Sequence, residues 1–161
     1  TTHQSLLGNA IANNSPEQVA AVWHEIPKPL RKNVQLVNCY ADFLIQHRPN
    51  QAEPLLRDAL KHEWHPEWVR RYGLVHGENN AKQLALAESW LKEHENDPDL
   101  LFCLGRLCVR QRLWGKARHY FESSLKIKPA SDVYYEFGEL LEQLDEKPAA
   151  LTCYRKGLEI K

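Results

Sequence analysis

Two stretches in the second half of the chain repeat each other at an interval of 33 residues. Three pairs of positions share this interval: Gly105 and Gly138, Ala117 and Ala150, Phe121 and Tyr154. A fixed period of about 20 to 50 residues is the signature of proteins that stack one small unit many times. Because one such unit cannot bury its apolar face alone, its neighbour has to cover that face.

Within each unit, apolar and small residues follow helical spacing on both sides of a short break. In the unit from 98 to 129, the first stripe consists of Leu101, Leu104, Gly105 and Cys108. This periodicity predicts a helix, and 113–115 predicts the turn into a second helix. We expect Gly105 to allow close approach of Ala117 on that second helix. Pro129 ends the unit, since proline cannot continue a helix.

Looser copies of the pattern extend towards the N-terminus. We therefore predict an all-α fold, a right-handed superhelix of about five antiparallel helix hairpins in a single domain, 1–161. The hairpins are expected at approximately 4–27, 33–62, 66–95, 98–128 and 131–160. Sustained alternation of polar and apolar residues, the pattern of a strand, is not seen.

The spacing of Gly105, Ala117, Phe121 and Pro129 resembles the tetratricopeptide repeat (TPR). More narrowly, VRRYG at 69–73, WLKEH through DP to LGRLC within 90–108, and LWGKAR at 113–118 resemble the C-terminal region of the bacterial HemY family. This resemblance implies the TPR part of an inner-membrane protein associated with haem (protoheme IX) biosynthesis. It further implies a membrane anchor N-terminal to this chain and a TPR domain that is soluble and on the cytoplasmic side.

Charge and motif content argue against two other classes of protein. Lys and Arg together number 21, as do Asp and Glu, so the basic excess of a typical nucleic-acid binder is absent. No GxGxxG motif of a dinucleotide-binding enzyme occurs, and Ser123 and Ser124 follow no glycine-rich elbow. We expect no enzymatic activity and no nucleic-acid partner.

The histidines and cysteines raise metal and haem alternatives. His62 and His65 are three apart, but no Cys or carboxylate pattern completes a metal-ligand set around them. A haem ligand would need an apolar pocket, and His119 or Cys103 could be imagined in that role. Neither pattern is strong, so we predict no metal and no cofactor, with the four cysteines as small buried residues.

The first helix of each hairpin lines the concave side of a TPR array, which makes that side the best candidate site. The predicted partner-binding groove comprises Arg70, Leu74, Phe102, Arg106, Val109, Tyr135 and Glu139, with Val37, Ala41 and Leu44 further forward. Arg and aromatic side chains there suit a peptide that carries a carboxylate. Alternatively, Arg70 and Arg106 pair with Glu67, Asp99 or Glu139 and only solvate the surface.

Three functions follow from these observations. The first is a scaffold that holds other proteins, among them haem-pathway enzymes, in the groove. The second is a carrier that binds porphyrin or haem directly. The third is a structural module that forms homo-oligomers through a terminal hairpin, where Tyr154, Leu158 and Ile160 have no following helix to cover them.

Overall fold

The computed structural model describes residues 2–13 and 15–161, and every regular element within them is helical. The helices form two compact units, Thr1–Glu78 and Asn79–Lys161, which we call the N-terminal unit and the C-terminal unit. The predicted all-α fold of antiparallel helix hairpins is confirmed.

The N-terminal unit contains two hairpins and one further helix. Its elements are α1 (Thr2–Ala12), α2 (Pro16–Glu25), a 3-10 turn (Leu30–Lys32), α3 (Val34–His47), α4 (Pro49–His62) and α5 (Pro66–Tyr72). α1 pairs with α2 and α3 with α4, and α5 packs on both α3 and α4. Ser15 and Asn33 start α2 and α3 as N-caps, because their side-chain oxygens accept backbone N–H bonds that the first turn leaves unpaired.

The C-terminal unit contains the two most regular hairpins. Its helices are α6 (Asn80–Ser89), α7 (Leu91–His94), α8 (Pro98–Arg110), α9 (Trp114–Ile127), α10 (Ser131–Gln143) and α11 (Lys147–Glu159). α8 pairs with α9 and α10 with α11, while α6 packs on α8 and α9 on α10. The predicted third hairpin, 66–95, spans the boundary between the units, so the pairing of its two halves stays a prediction.

The two repeated glycines make room for aromatic rings of the same hairpin. A Cβ atom at Gly105 would overlap the ring of Phe121, and one at Gly138 would overlap the ring of Tyr154. The nearest side chain at Gly105 is thus that of Phe121, and the expected close approach of Ala117 stays a prediction. Phe121 also packs against Phe137 of the next hairpin, with ring centroids 6.0 Å apart, so one ring joins two hairpins.

The turns of these hairpins are closed by residues in the left-handed region. Arg112 and Asp145 both have φ of 60°. In the first turn, Leu113 N–H donates to Cys108 C=O at 2.9 Å and Arg112 N–H to Val109 C=O at 3.0 Å, the pair of bonds of a Schellman motif. The turn thus lies at 111–113, and the predicted turn at 113–115 was late, since Trp114 and Gly115 already belong to α9.

Candidate protein-binding surface

One side of α8 and α10, the first helices of the two C-terminal hairpins, forms a surface that we call the first-helix face. It comprises Arg106 and Val109 of α8 and Tyr135, Glu136, Glu139 and Glu142 of α10. Arg106 of α8 spans the two helices. Its Nε donates to Glu136 Oε1 at 2.9 Å and its Nη2 to Glu136 Oε2 at 2.6 Å, a forked ion pair. The Arg106 side chain is only 13% exposed, so this pair is shielded from water and fixes α8 against α10.

Phe102 was predicted to lie on the surface, but the structure places it in the core. The residue is fully buried, with its ring against Phe121, centroids 6.0 Å apart. The guanidinium carbon of Arg106 lies 3.8 Å from the ring centroid of Phe102 and covers it. The Arg106 guanidinium therefore covers the core at Phe102, and its positive charge is balanced by Glu136.

Tyr135 and Glu139, by contrast, are presented to solvent on α10. Tyr135 is 58% exposed, and its ring centroid lies 5.8 Å from that of Tyr154. Glu139 is exposed beside Glu136 and Glu142. Partial burial and the charges of these two neighbours raise the pKa of Glu139 above its usual value. The exposed part of the face is thus aromatic and acidic.

Glu142 of α10 completes this acidic edge. It is exposed and hydrogen-bonds the hydroxyl of Tyr154. Burial, followed by this bond, raises the pKa of Tyr154 to about 12, so the phenol stays protonated at neutral pH. Val109, which was predicted beside Arg106 on α8, is half-buried. It contributes apolar surface at the margin of the face.

In the N-terminal unit, Arg70 is half-buried on α5 and Leu74, just after α5, is 45% exposed. The three residues predicted further forward are instead part of the core: Val37, Ala41 and Leu44. Here the first helices are joined by a different arginine, since Arg71 Nε donates to Asp42 Oδ1 at 2.8 Å.

Sequence reasoning missed the role of Glu136, which is not among the predicted groove residues or the carboxylates expected to pair with Arg106. The 33-residue repeat could have revealed this role. Glu136 precedes the repeat equivalent of Arg106, position 139, by three residues, which places it one helical turn earlier on the same face. A long arginine side chain on the neighbouring first helix spans that offset.

The residues considered for metal or haem do not come together. No group of three or more His, Cys, Asp or Glu that could hold a metal ion occurs within the described residues. Cys103 is fully buried, and burial raises the pKa of its thiol to about 12, whereas His119 is exposed on α9. Cys108 and Cys153 are also buried and Cys39 is half-buried, all as free thiols.

Over residues 2–13 and 15–161, no helix combines the length and apolar character that crossing a bilayer requires. The longest α-helices have 14 residues.

No family model and no curated protein matches the chain. Solved structures of MamA share its fold. A MamA fragment from Desulfovibrio magneticus RS-1 superposes with a TM-score of 0.62 at 15% identity, covering 98% of this chain and 92% of that one. A second MamA crystal structure gives 0.58 at 15% identity, covering 98% and 89%. The chain is therefore a TPR-like, all-helical hairpin protein, similar in fold to MamA.

Proposed function

We propose that this chain is a protein-interaction scaffold and that the first-helix face of the C-terminal unit holds a segment of a partner protein. The observation that carries the proposal is the 58% exposure of Tyr135 on α10, next to the exposed carboxylates of Glu139 and Glu142. Aromatic side chains that protrude in this way are enriched at the centres of protein interfaces.

The charges on this face favour a basic partner. Glu139 and Glu142 are exposed, and partial burial followed by repulsion from the charges of Glu136 and Glu142 raises the pKa of Glu139. A Lys or Arg from a partner would relieve that repulsion, while a carboxylate would increase it. The predicted preference for a peptide carboxylate depended on Arg70 and Arg106, and in the C-terminal unit Glu136 already balances the Arg106 cation. We therefore assign the face to a segment with basic and apolar residues.

In this proposal the predicted site residues have different roles. Tyr135 and Glu139 contact the partner, and Val109 extends the apolar area beside them. Arg106 and Phe102 hold the face in shape from below. Arg70 and Leu74 of the N-terminal unit form a separate surface that would receive a further part of the partner. No catalytic role is proposed for any residue.

The test is capture of partners from a bacterial lysate by the immobilised chain, with identification by mass spectrometry. We expect Tyr135→Ala and Glu139→Lys to lose the same specific proteins. Glu159→Lys, an equal charge change at the exposed end of α11, is the matched control and should keep them. If both variants retain the full set while their helical circular dichroism is unchanged, this face is not the binding site.

We further propose, from the resemblance of 69–73, 90–108 and 113–118, that the chain is the TPR portion of a HemY-like protein. Full-length protein would then associate with the bacterial inner membrane, with this portion on the cytoplasmic side and haem-pathway enzymes among its partners. Recovery of such enzymes with the wild-type chain but not with Tyr135→Ala would support this assignment. Recovery only of proteins from unrelated pathways would contradict it.

A second candidate function, self-association, is favoured by the outer side of α11. Leu158 is 87% exposed and Leu151, seven residues earlier on the same side of the helix, is 50% exposed. Two such leucines form an apolar stripe that a second copy could cover. Analytical ultracentrifugation should then show a dimer that Leu151→Lys combined with Leu158→Lys dissociates. A monomer at all concentrations would exclude this function.

Direct porphyrin or haem binding has less support. The thiol of Cys103 is enclosed in the core and protonated, and His119 lies at an exposed position with its ring near Tyr120. An axial ligand would have to come from another residue. A haem titration that gives no Soret shift with the wild-type chain would remove this alternative.

A further inference from the structure

A cleft of about 680 Å³ opens in the N-terminal unit, between the 3-10 turn that follows α2 and the outer side of α4. Its floor is aromatic and apolar, and consists of Trp23, Val37 and Trp68, all buried. Sites for small ligands and short segments have volumes of roughly 300–1,000 Å³ and mostly apolar walls. This cleft matches that description and involves none of the residues of the first-helix face.

The two walls of the cleft carry opposite charges. Lys28 and Lys32 lie on the wall formed by the segment after α2, which ends in the 3-10 turn, and Asp58 and Glu63 lie on the wall formed by α4 and its end. All four side chains are exposed, and none of them forms an ion pair within residues 2–13 and 15–161. The walls therefore keep unneutralised cations and anions on opposite sides of an apolar floor.

The cationic wall is held in place by Arg31. Its Nε donates to the carbonyl of Ile26 at 2.7 Å, and its Nη2 donates to the carbonyl of His24 at 2.5 Å. These carbonyls stand at the C-terminal end of α2, where helical partners are lacking and a cation is favourable. Arg31 thus fixes the turn that carries Lys28 and Lys32, so little ordering is left for a ligand to impose.

The floor contains one unsatisfied donor. The indole Nε1–H of Trp68 is buried and has no acceptor among the described residues. Buried donors without a partner are rare in proteins because the lost hydrogen bond with water is not replaced. Because Trp68 lines the cleft, its indole N–H signal is a local reporter of occupancy.

We propose that this cleft binds a short peptide segment of a partner protein, in which an acidic and a basic side chain flank one or two apolar residues. The acidic side chain faces Lys28 and Lys32, the apolar residues cover Trp23 and Trp68, and the basic side chain faces Asp58. A small apolar carboxylate fits less well, because Asp58 and Glu63 repel it and its single charge leaves the anionic wall unpaired. The cleft is a second binding site, separate from the one under Proposed function.

The test uses acetylated, amidated tetrapeptides that begin with Glu, end with Lys and carry Leu, Phe or Trp in the two central positions. Binding to the ¹⁵N-labelled chain is followed through the five indole N–H signals. We expect saturable shifts of the Trp23 and Trp68 signals, while those of Trp90 and Trp114 stay unchanged.

Charge-reversed variants then establish the orientation. In Lys28→Glu combined with Lys32→Glu, affinity for the Glu-to-Lys peptides should fall about tenfold, as expected for the loss of two exposed charge pairs. The same variant should prefer peptides with Lys at both ends, which the wild type should not. The matched control is Lys82→Glu combined with Lys147→Glu, two exposed lysines of the C-terminal unit, and it should bind as the wild type does.

Three results would overturn the proposal. The first is the absence of indole shifts with every peptide of the set. The second is equal binding by the control and the cleft variant. The third is binding of 2-naphthoate as tight as that of the best peptide, which would identify the cleft as a small-carboxylate site. Because no residue of the first-helix face is altered, these outcomes are independent of the lysate capture.

Discussion

The hairpins α3/α4 and α8/α9 have almost the same lengths, but they carry their large aromatic side chain on opposite helices. α4 and α9 each have 14 residues and correspond position by position. Where α8 carries Gly105, α3 carries Tyr40, and where α9 carries Phe121, α4 carries Leu56. The N-terminal unit thus places its large ring on the first helix, and the C-terminal unit places it on the second.

The difference changes what each ring packs against. Tyr40 stacks on Trp23 of the preceding hairpin, with ring centroids 4.5 Å apart. Phe121 fills the space above Gly105 and reaches Phe137 of the following hairpin. Both arrangements fill the interior, so a helix hairpin of this size requires complementary volume rather than a particular residue at a particular position. Five predictions test this comparison.

The largest effect is expected from truncation of the shared ring. Phe121→Ala should lower the free energy of unfolding by about 3–5 kcal/mol, since it removes the buried ring over Gly105 and leaves a cavity there. Chemical denaturation with circular dichroism measures the loss. Leu56→Ala, at the equivalent position of the N-terminal unit, should cost about 2–5 kcal/mol. A loss below 1 kcal/mol for Phe121→Ala would mean that the ring does not join the hairpins.

Exchanging the distribution of bulk gives a sharper test. Gly105→Ala should destabilise by about 1–3 kcal/mol because its Cβ overlaps the Phe121 ring. Phe121→Leu introduces the residue that α4 carries at the equivalent position, Leu56. In that background, Gly105→Ala should cost less free energy of unfolding. A double-mutant cycle measures this coupling. If the two changes in the free energy of unfolding are additive, Gly105 is not required to accommodate the Phe121 ring.

The two bridges between first helices should differ in strength. Glu136→Gln leaves the shielded Arg106 without its counter-charge and should cost about 1–2 kcal/mol, less than for a fully buried pair. Asp42→Asn in the N-terminal unit should cost about 0.5 kcal/mol, because the Asp42 side chain is 57% exposed and water screens it. Equal losses in urea unfolding would contradict the difference in burial.

The turns of the two hairpins also differ. Arg112→Gly should stabilise by about 0.5–1 kcal/mol, since glycine adopts its positive φ without strain. Arg48, between α3 and α4, has φ of −146°, so Arg48→Gly should not stabilise and should cost a few tenths of a kcal/mol through chain entropy. Thermal melts of the pair give the comparison, and stabilisation by both changes would contradict it.

The smallest effect concerns the acidic edge of α10. Because the pKa of Glu139 is raised in the folded state, its ionisation opposes folding, and stability is lost as pH rises through and above the usual carboxyl pKa. Glu139→Gln should therefore raise the melting temperature slightly at neutral pH and not at acid pH. Equal changes of the melting temperature at acid and neutral pH would contradict this prediction.

The sequence predicted the helices well where glycine and aromatic residues mark the repeat. It predicted the C-terminal hairpins because Gly105, Gly138, Phe121 and Tyr154 recur in phase. In α3 and α4 the exchange of bulk between Tyr40 and Leu56 removes that signal and leaves only helical periodicity. The turn at 111–113 was misplaced because Arg112 occupies a position where glycine is expected.

The candidate site was less accessible to sequence reasoning. Arg106 lies on the predicted side of α8, but spacing along one helix reveals neither that Phe102 is buried nor that Arg106 covers its ring and reaches Glu136 on α10. Likewise, Lys32, Asp58 and Trp68 are distant in sequence, and only packing brings them to one cleft. Surface chemistry between elements depends on side-chain direction, which periodicity leaves open.

The turns at Arg112 and Asp145 bear on how a chain of this kind can change its length. Both turns end a helix with the same pair of Schellman hydrogen bonds. In each, the next helix starts two residues after the residue with positive φ. Duplication or loss of a whole 33-residue block would preserve every pairing within a hairpin. A single residue inserted into α8 would instead rotate the side chains beyond it by about 100°. Natural length variants are therefore expected to differ by complete hairpins.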